Sequence, residues 1–167
     1  INYFGIDISQ GLIDAAKRNF QSLNKNYQFL KMDALELDKL LENNFDYIFC
    51  VAVLHHLPGE DLRIQALRQI KNKINDQGKI IITVWNFWSK EKYRRIILKH
   101  ALLKILGLIQ FDFRDILFDW KNNKGKKISQ RYYHAFTEKE LKKIVAFAGL
   151  KIEKFYKDKH NYYLVLV

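Results

Sequence analysis

The apolar positions of this chain switch between a period of two and a helical period, and the switches mark its elements. Asn2–Ile8 is a short β-branched and aromatic run that ends on an acidic residue. Ser9 then caps a run with Leu12, Ile13, Ala16 and Phe20 at helical spacing. Tyr27–Met32 reads as a second strand, Phe45–Val53 as a third with an almost continuous apolar run, and Lys79–Trp85 as a fourth. Strands without alternation are expected to be buried on both faces. Between the third and fourth, Glu60–Ile74 reads as a helix with Leu62, Ile64, Leu67 and Ile70 inward, followed by the turn Asn75-Asp76-Gln77-Gly78. Tyr93–Leu108 reads as an inserted helix, Asp112–Gln130 as an irregular basic segment, and Thr137–Ala148 as a capped helix closed by Gly149. Two final strands, Leu150–Tyr156 and Tyr162–Val167, flank the polar loop Lys157–Asn161, as in an antiparallel hairpin. Strands alternating with helices predict an α/β fold, doubly wound and Rossmann-like, with a mostly parallel sheet and this antiparallel pair at its end.

Length and composition narrow the picture. The 167 residues suit one domain, 1–167, and a hydrophobic fraction of 49% with a single Pro leaves no room for a linker. The longest apolar-biased stretch, Ile96–Ile109, is broken by Lys99, His100 and Lys104 and falls short of the roughly 20 residues that a membrane span needs. The first residues read as a strand and not as a secretory leader. A single Cys50 inside an apolar strand builds neither a disulfide framework nor a Cys-rich metal site, so a reducing, intracellular setting is expected. The net charge of +11 points toward a polyanionic partner. Twelve basic residues against four acidic ones fall between Asn86 and His134, so +8 of that charge lies in one basic insertion, 86–134.

Ligands of open α/β sheets bind at the carboxyl ends of the strands, so polar residues there are weighed first. Asp7 ends the first strand and can accept hydrogen bonds from both ribose hydroxyls of a nucleoside; the alternative is that it helps Ser9 cap the helix. Asp33, with Ala34 beside it, ends the next strand and can accept from the exocyclic amine of adenine while the Ala34 amide donates to the ring; the alternative is a solvated strand end. Val51 begins the stretch Val51–Leu57, in which His55 and His56 can position an acceptor or serve only as backbone-bonded structural groups. Adjacent histidines without a third ligand are poor zinc ligands. Gln130–Phe136 brings together Arg131, Tyr132, Tyr133 and His134 next to the basic segment, a mixture suited to single-stranded RNA or, alternatively, to packing on Trp85, Phe87 and Trp88.

The motifs GIDIS (5–9), AVLHHL (52–57), VWNF (84–87), DILFDW (115–120), RYYHAF (131–136) and NYYLVL (161–166) occur in an order that resembles the eukaryotic tRNA wobble-uridine carboxymethyl methyltransferases. That family includes the methyltransferase domain fused to an AlkB-type dioxygenase, and it belongs to the class I S-adenosylmethionine-dependent methyltransferases. The resemblance implies methyl transfer to the carboxylate of 5-carboxymethyluridine at the anticodon wobble position. It further implies Asp7, Asp33, Ala34 and Val51 at the cofactor and His55, Arg131 and His134 around the acceptor. His56, Lys124, Lys126, Lys127 and Tyr132 are then expected on the tRNA. A small zinc-binding activator protein is expected on strand Tyr27–Met32, the terminal strand of the class I order. A cytoplasmic location follows, with a nuclear one open. The chain starts directly on a strand resembling the second strand of that fold, and its seven glycines form no Gly-x-Gly cluster, so an N-terminally truncated domain is expected. The rival expectations are a methyltransferase for a small metabolite and a catalytically silent RNA- or partner-binding subunit.

Overall fold

The computed structural model describes residues 1–20, 26–121 and 125–167, which form two compact units, Ile1–Asn43 and Asn44–Val167.

The first unit contains β1 (Tyr3–Asp7), α1 (Gln10–Asn19), β2 (Tyr27–Lys31) and a 3-10 turn at Leu37–Lys39. β1 and β2 run parallel, with Tyr3 opposite Tyr27 and Asp7 opposite Lys31. Ser9 stops the extended chain and its hydroxyl accepts the Leu12 amide at 3.4 Å, so α1 starts where the cap residue predicts. Tyr3, Phe20, Tyr27 and Phe29 pack their rings on one another. Gly5 permits this, because a Cβ there would lie 2.8 Å from the Phe29 ring.

The second unit contains β3 (Phe45–Val51), a 3-10 turn at Leu54–His56, α2 (Glu60–Lys71), β4 (Ile74–Trp85), a 3-10 turn at Phe87–Ser89 and α3 (Glu91–Ile105). β5 (Asp115–Lys121), β6 (Lys127–His134), α4 (Glu138–Phe147), β7 (Ile152–Lys157) and β8 (Asn161–Leu166) follow. Its main sheet has the order β3-β4-β8-β7. β3 and β4 are parallel, while β8 runs antiparallel to both β4 and β7. Along β4, Ile80, Ile82 and Val84 are buried in strict alternation, and Leu164 and Leu166 of β8 join them. Leu67 and Ile70 of α2 and Leu141, Ile144 and Val145 of α4 complete the core. Each such side chain contributes about 1.5–3 kcal/mol on burial.

Four expectations change. β3 is not buried on both faces: Tyr47, Phe49 and Val51 are exposed, while Cys50 between them is buried. The residues Asn75–Gly78 do not end an element. They form a bulge within β4, where Phe45 pairs with Ile74 and Tyr47 already pairs with Lys79. Asp46 holds the bulge by accepting from the Asn75 amide group at 2.7 Å. The segment expected to be irregular is the antiparallel hairpin β5-β6, with Ile116 opposite Tyr133; β6 is exposed from Lys127 to Arg131, so no alternation marks it. On α2, Arg63 and not Leu62 shares the inner face with Ala66, Leu67 and Ile70. No described helix is long and apolar enough to cross a membrane.

Candidate functional site

In the first unit, the parallel pairing of β1 and β2 sets Asp7 and Asp33 at the same, carboxyl end of two neighbouring strands, with Ala34 next in line. Both acids are half-buried. Asp7 Oδ1 accepts the Ser9 amide at 2.7 Å and Asp33 Oδ1 accepts the Leu35 amide at 2.9 Å. Each carboxylate is therefore oriented by one local bond through Oδ1, while its Oδ2 has no partner among the described residues. The local bonding weighed as the alternative for Asp7 is present, and it leaves the second oxygen available to a ribose. Two acceptors pre-set by backbone bonds fit the hydroxyls and exocyclic amine of an adenosine.

In the second unit, β3 ends at Val51, which is exposed, and the chain turns sharply through Ala52, whose φ of 57° is rare for a residue with a Cβ. The Ala52 amide still donates to Thr83 of β4 at 3.0 Å, so the turn is tied to the sheet end. It delivers His55 into a ring cage. Trp85, Tyr133 and His56 lie 4.9, 5.7 and 4.6 Å away between ring centroids. His55 is fully buried, and burial is the main cause that lowers its pKa to about 3. It is therefore a neutral imidazole at physiological pH. His55 Nε2, Asn86 Oδ1 and Tyr133 Oη are buried without a hydrogen-bond partner among the described residues.

His56 beside it is exposed and packs on Tyr133 at 4.7 Å. Partial burial lowers its pKa and the Arg131 charge adds to this, against a hydrogen bond to the Tyr132 backbone that raises it. His56 and Arg131, distant in sequence, are thus neighbours in space. Arg131 is exposed on β6.

His134 and Tyr132 have different surroundings from those expected. His134 is buried, with Nδ1 2.6 Å from Asp115 Oδ1 and Nε2 2.7 Å from Glu140 Oε1. Both ring nitrogens are engaged, so His134 has none left for an acceptor. The Tyr132 hydroxyl donates to Asp115 Oδ1 at 2.8 Å and accepts from Arg63 Nη2 at 2.8 Å, so it supports the site from within and does not reach toward RNA. Burial alone would raise the pKa of Asp115 and of Glu140, yet their bonds from His134, joined at Asp115 by Tyr132, hold both below the ordinary carboxylate values. Arg114 Nε lies 3.3 Å from Glu140 Oε2 without hydrogen-bond alignment. Arg63, Asp115 and Glu140 were not anticipated from the sequence. The signal for Arg63 was there: a cation three, four and seven positions before Ala66, Leu67 and Ile70 on an inward helical stripe.

Of the expected RNA-facing lysines, Lys126 and Lys127 are exposed on the hairpin, and Lys127 pairs with Asp119 at 2.6 Å. Lys124 lies outside the described residues.

Residues 1–80 match the family model described as a methyltransferase domain. The tRNA (carboxymethyluridine(34)-5-O)-methyltransferase of Schizosaccharomyces pombe is 26% identical over 74% of this chain and 57% of its own length. The chain thus spans a little over half of that relative. A ubiquinone biosynthesis O-methyltransferase of Coxiella burnetii is 36% identical over 78% of the chain and 57% of its own length. Among solved structures, an S-adenosylmethionine-dependent methyltransferase of Methanosarcina mazei superposes with a TM-score of 0.74 at 19% identity, covering 98% of this chain and 80% of that one. In fold, the chain is similar to the solved S-adenosylmethionine-dependent methyltransferases, and its first 80 residues are similar in sequence to a methyltransferase domain.

Proposed function

We propose that the protein methylates the carboxylate of 5-carboxymethyluridine at the wobble position of tRNA. The observation that carries this reading is the pairing of an exposed cation with an exposed imidazole, Arg131 with His56, beside a buried neutral His55 at the carboxyl end of β3. When bound, S-adenosylmethionine supplies an electrophilic methyl group. A carboxylate, with an ordinary pKa of about 4, is already ionised near neutral pH, so its oxygen attacks without any proton being removed. What the chain must provide is orientation, exclusion of water and a mild positive potential. Arg131 supplies the potential, His56, whose pKa is lowered, offers hydrogen bonding as a neutral imidazole, and Trp85 and Tyr133 wall the site. His55 Nδ1 accepts from the Trp85 backbone amide at 3.4 Å, so the neutral ring can donate one hydrogen bond through Nε2 and carries no charge.

A small-molecule O-methyltransferase is the second reading, favoured by the 36% identity with the ubiquinone enzyme. A phenolic acceptor has a pKa of about 10 and needs a general base. His55, at about 3, is too weak a base for that task. The absence of a competent base at this position favours the carboxylate.

The exposed hairpin lysines Lys126 and Lys127 suit tRNA phosphates, and β2, which exposes Leu30, suits a small zinc-binding activator that adds to its edge. Appearance of amide protection along Tyr27–Lys31 only when such a partner is added tests the second assignment; protection without it overturns it. For the activity itself, the protein is incubated with radiolabelled cofactor and an anticodon stem-loop containing 5-carboxymethyluridine. Label that enters the RNA and is released by alkali, as a methyl ester must be, supports the reading. Label entering only RNA that lacks the carboxylate, or only a phenolic acceptor, refutes it. Replacing Lys126 and Lys127 together with Ala should flatten the salt dependence of tRNA affinity by about two phosphate contacts; an unchanged slope removes the hairpin from the RNA.

A further inference from the structure

We propose that Arg63 is a positioning residue for this acceptor site, holding the His55–His56 turn and strand β6 at a fixed separation through the Leu57 carbonyl and the Tyr132 hydroxyl. The proposal rests on the acceptor reading given above and deepens it.

Arg63 is only 1% exposed. Its Nε donates to the Leu57 carbonyl at 2.9 Å, directly after the histidine pair, and its Nη2 donates to Tyr132 Oη at 2.8 Å on β6. The same guanidinium lies 3.6 Å from Asp115 on β5 and 3.9 Å from Glu140 on α4, with its carbon 5.4 Å from the centre of the Phe136 ring. One planar fork of donors therefore spans the turn, both hairpin strands and α4. Tyr132 passes the connection to Asp115, Asp115 to His134, and His134 to Glu140 in the first turn of α4.

Its charge balances Asp115 and Glu140, so an apolar residue at 63 would complete the stripe with Ala66, Leu67 and Ile70 only by leaving both carboxylates buried without their cation. What an apolar residue lacks is direction: it cannot hold a carbonyl and a hydroxyl at fixed angles. The elements it would leave unclamped are those that carry His55 and His56 on one side and Arg131 on the other. A displacement of about 1 Å between groups that align a nucleophile costs on the order of a hundredfold in rate.

Tyr132→Phe tests the clamp by deleting one oxygen and leaving the ring. In the folded protein, histidine ring correlations in NMR spectra read the placement of His55 and His56 against Tyr133 without any substrate. The expected result is a shift of both ring signals, with kcat for the carboxymethyluridine stem-loop reduced about tenfold or more and KM for the cofactor unchanged. Arg63→Lys, which keeps a charge opposite Asp115 and Glu140 but not the fork, should stay folded and show the same loss in kcat. Ring signals and kcat that stay at wild-type values in folded Tyr132→Phe overturn the proposal. So does a kcat that falls only in step with the melting temperature across both variants. If Tyr132→Phe moves the rings but wild-type protein leaves the stem-loop unmethylated, the clamp stands and the substrate reading falls.

Discussion

His55 should make the protein lose stability as the pH falls, by an amount that its surroundings fix. In the unfolded chain its imidazole titrates near the ordinary value of about 6.5, whereas burial in the aromatic cage brings the folded value to about 3. The folded value is the depressed one, so the stability is fully present above pH 6.5 and is lost as pH falls toward 3. Between these values the unfolded state holds one more proton, which corresponds to a slope of about 1.4 kcal/mol per pH unit. At pH 5 the accumulated loss is about 2 kcal/mol. His55→Phe keeps a ring in the cage and removes the titrating group together with the unpartnered Nε2. Urea unfolding of both proteins at pH 8, 6 and 5 isolates this contribution, because other titrating groups largely cancel in the difference. Whatever the offset at pH 8, the variant should gain about 2 kcal/mol on the wild type by pH 5. A difference that stays constant across this range would refute the reasoning, since His55 would then be solvated or partnered enough to protonate in place.

Two further outcomes follow from single positions. Asp7→Ala should weaken S-adenosylmethionine binding by about 1.5–3 kcal/mol, the usual size of a hydrogen bond to a charged group, and calorimetry giving an unchanged Kd would remove Asp7 from the cofactor site. Gly78→Ala should destabilise the second unit by about 1–3 kcal/mol in urea unfolding, because its Cβ would fall 2.8 Å from the Phe45 carbonyl oxygen and 2.6 Å from Ile74; unchanged stability would mean that the bulge relaxes freely.

Much of the framework could be read from residue order. Ser9 and Thr137 each accept the amide three positions on, and the helices begin where those residues stand. Gly149 closes α4 with a φ of +74°, a conformation that a side chain would oppose. The parallel pairing of β3 with β4 and the antiparallel pairing of β7 with β8 followed from the spacing between strands. The β5-β6 hairpin was not legible, because Lys127 to Arg131 are all exposed without alternation and its buried positions cluster at the far end, around Asp115, Ile116, Tyr133 and His134. The site was legible in its residue types and not in their roles. His55 and His134 look alike in sequence, each next to an aromatic or a second His, but one sits in a cage without a partner for Nε2 and the other between two carboxylates. That distinction depends on α4 bringing Glu140 to the end of β6, a tertiary contact that no local pattern encodes.

The distribution of positive charge bears on how a carboxylate acceptor can remain reactive. A cation held tightly against the attacking oxygen would stabilise the ground state as much as the transition state and would gain little in rate. The second unit separates the two arginines nearest the histidine pair, Arg63 and Arg131, accordingly. Arg63, with the strongest field of the two because it is buried, faces Asp115 and Glu140, whose lowered pKa values keep them ionised and able to neutralise it. Arg131 is exposed, so water and salt screen it, and its charge adds to the lowering of the His56 pKa. On the proposed reading, the screened cation orients the acceptor, the neutral His55 adds direction without charge, and the buried cation acts only on the framework. An acceptor that must first lose a proton would need the opposite arrangement, a basic imidazole in place of the caged one, and the aromatic packing around His55 works against that.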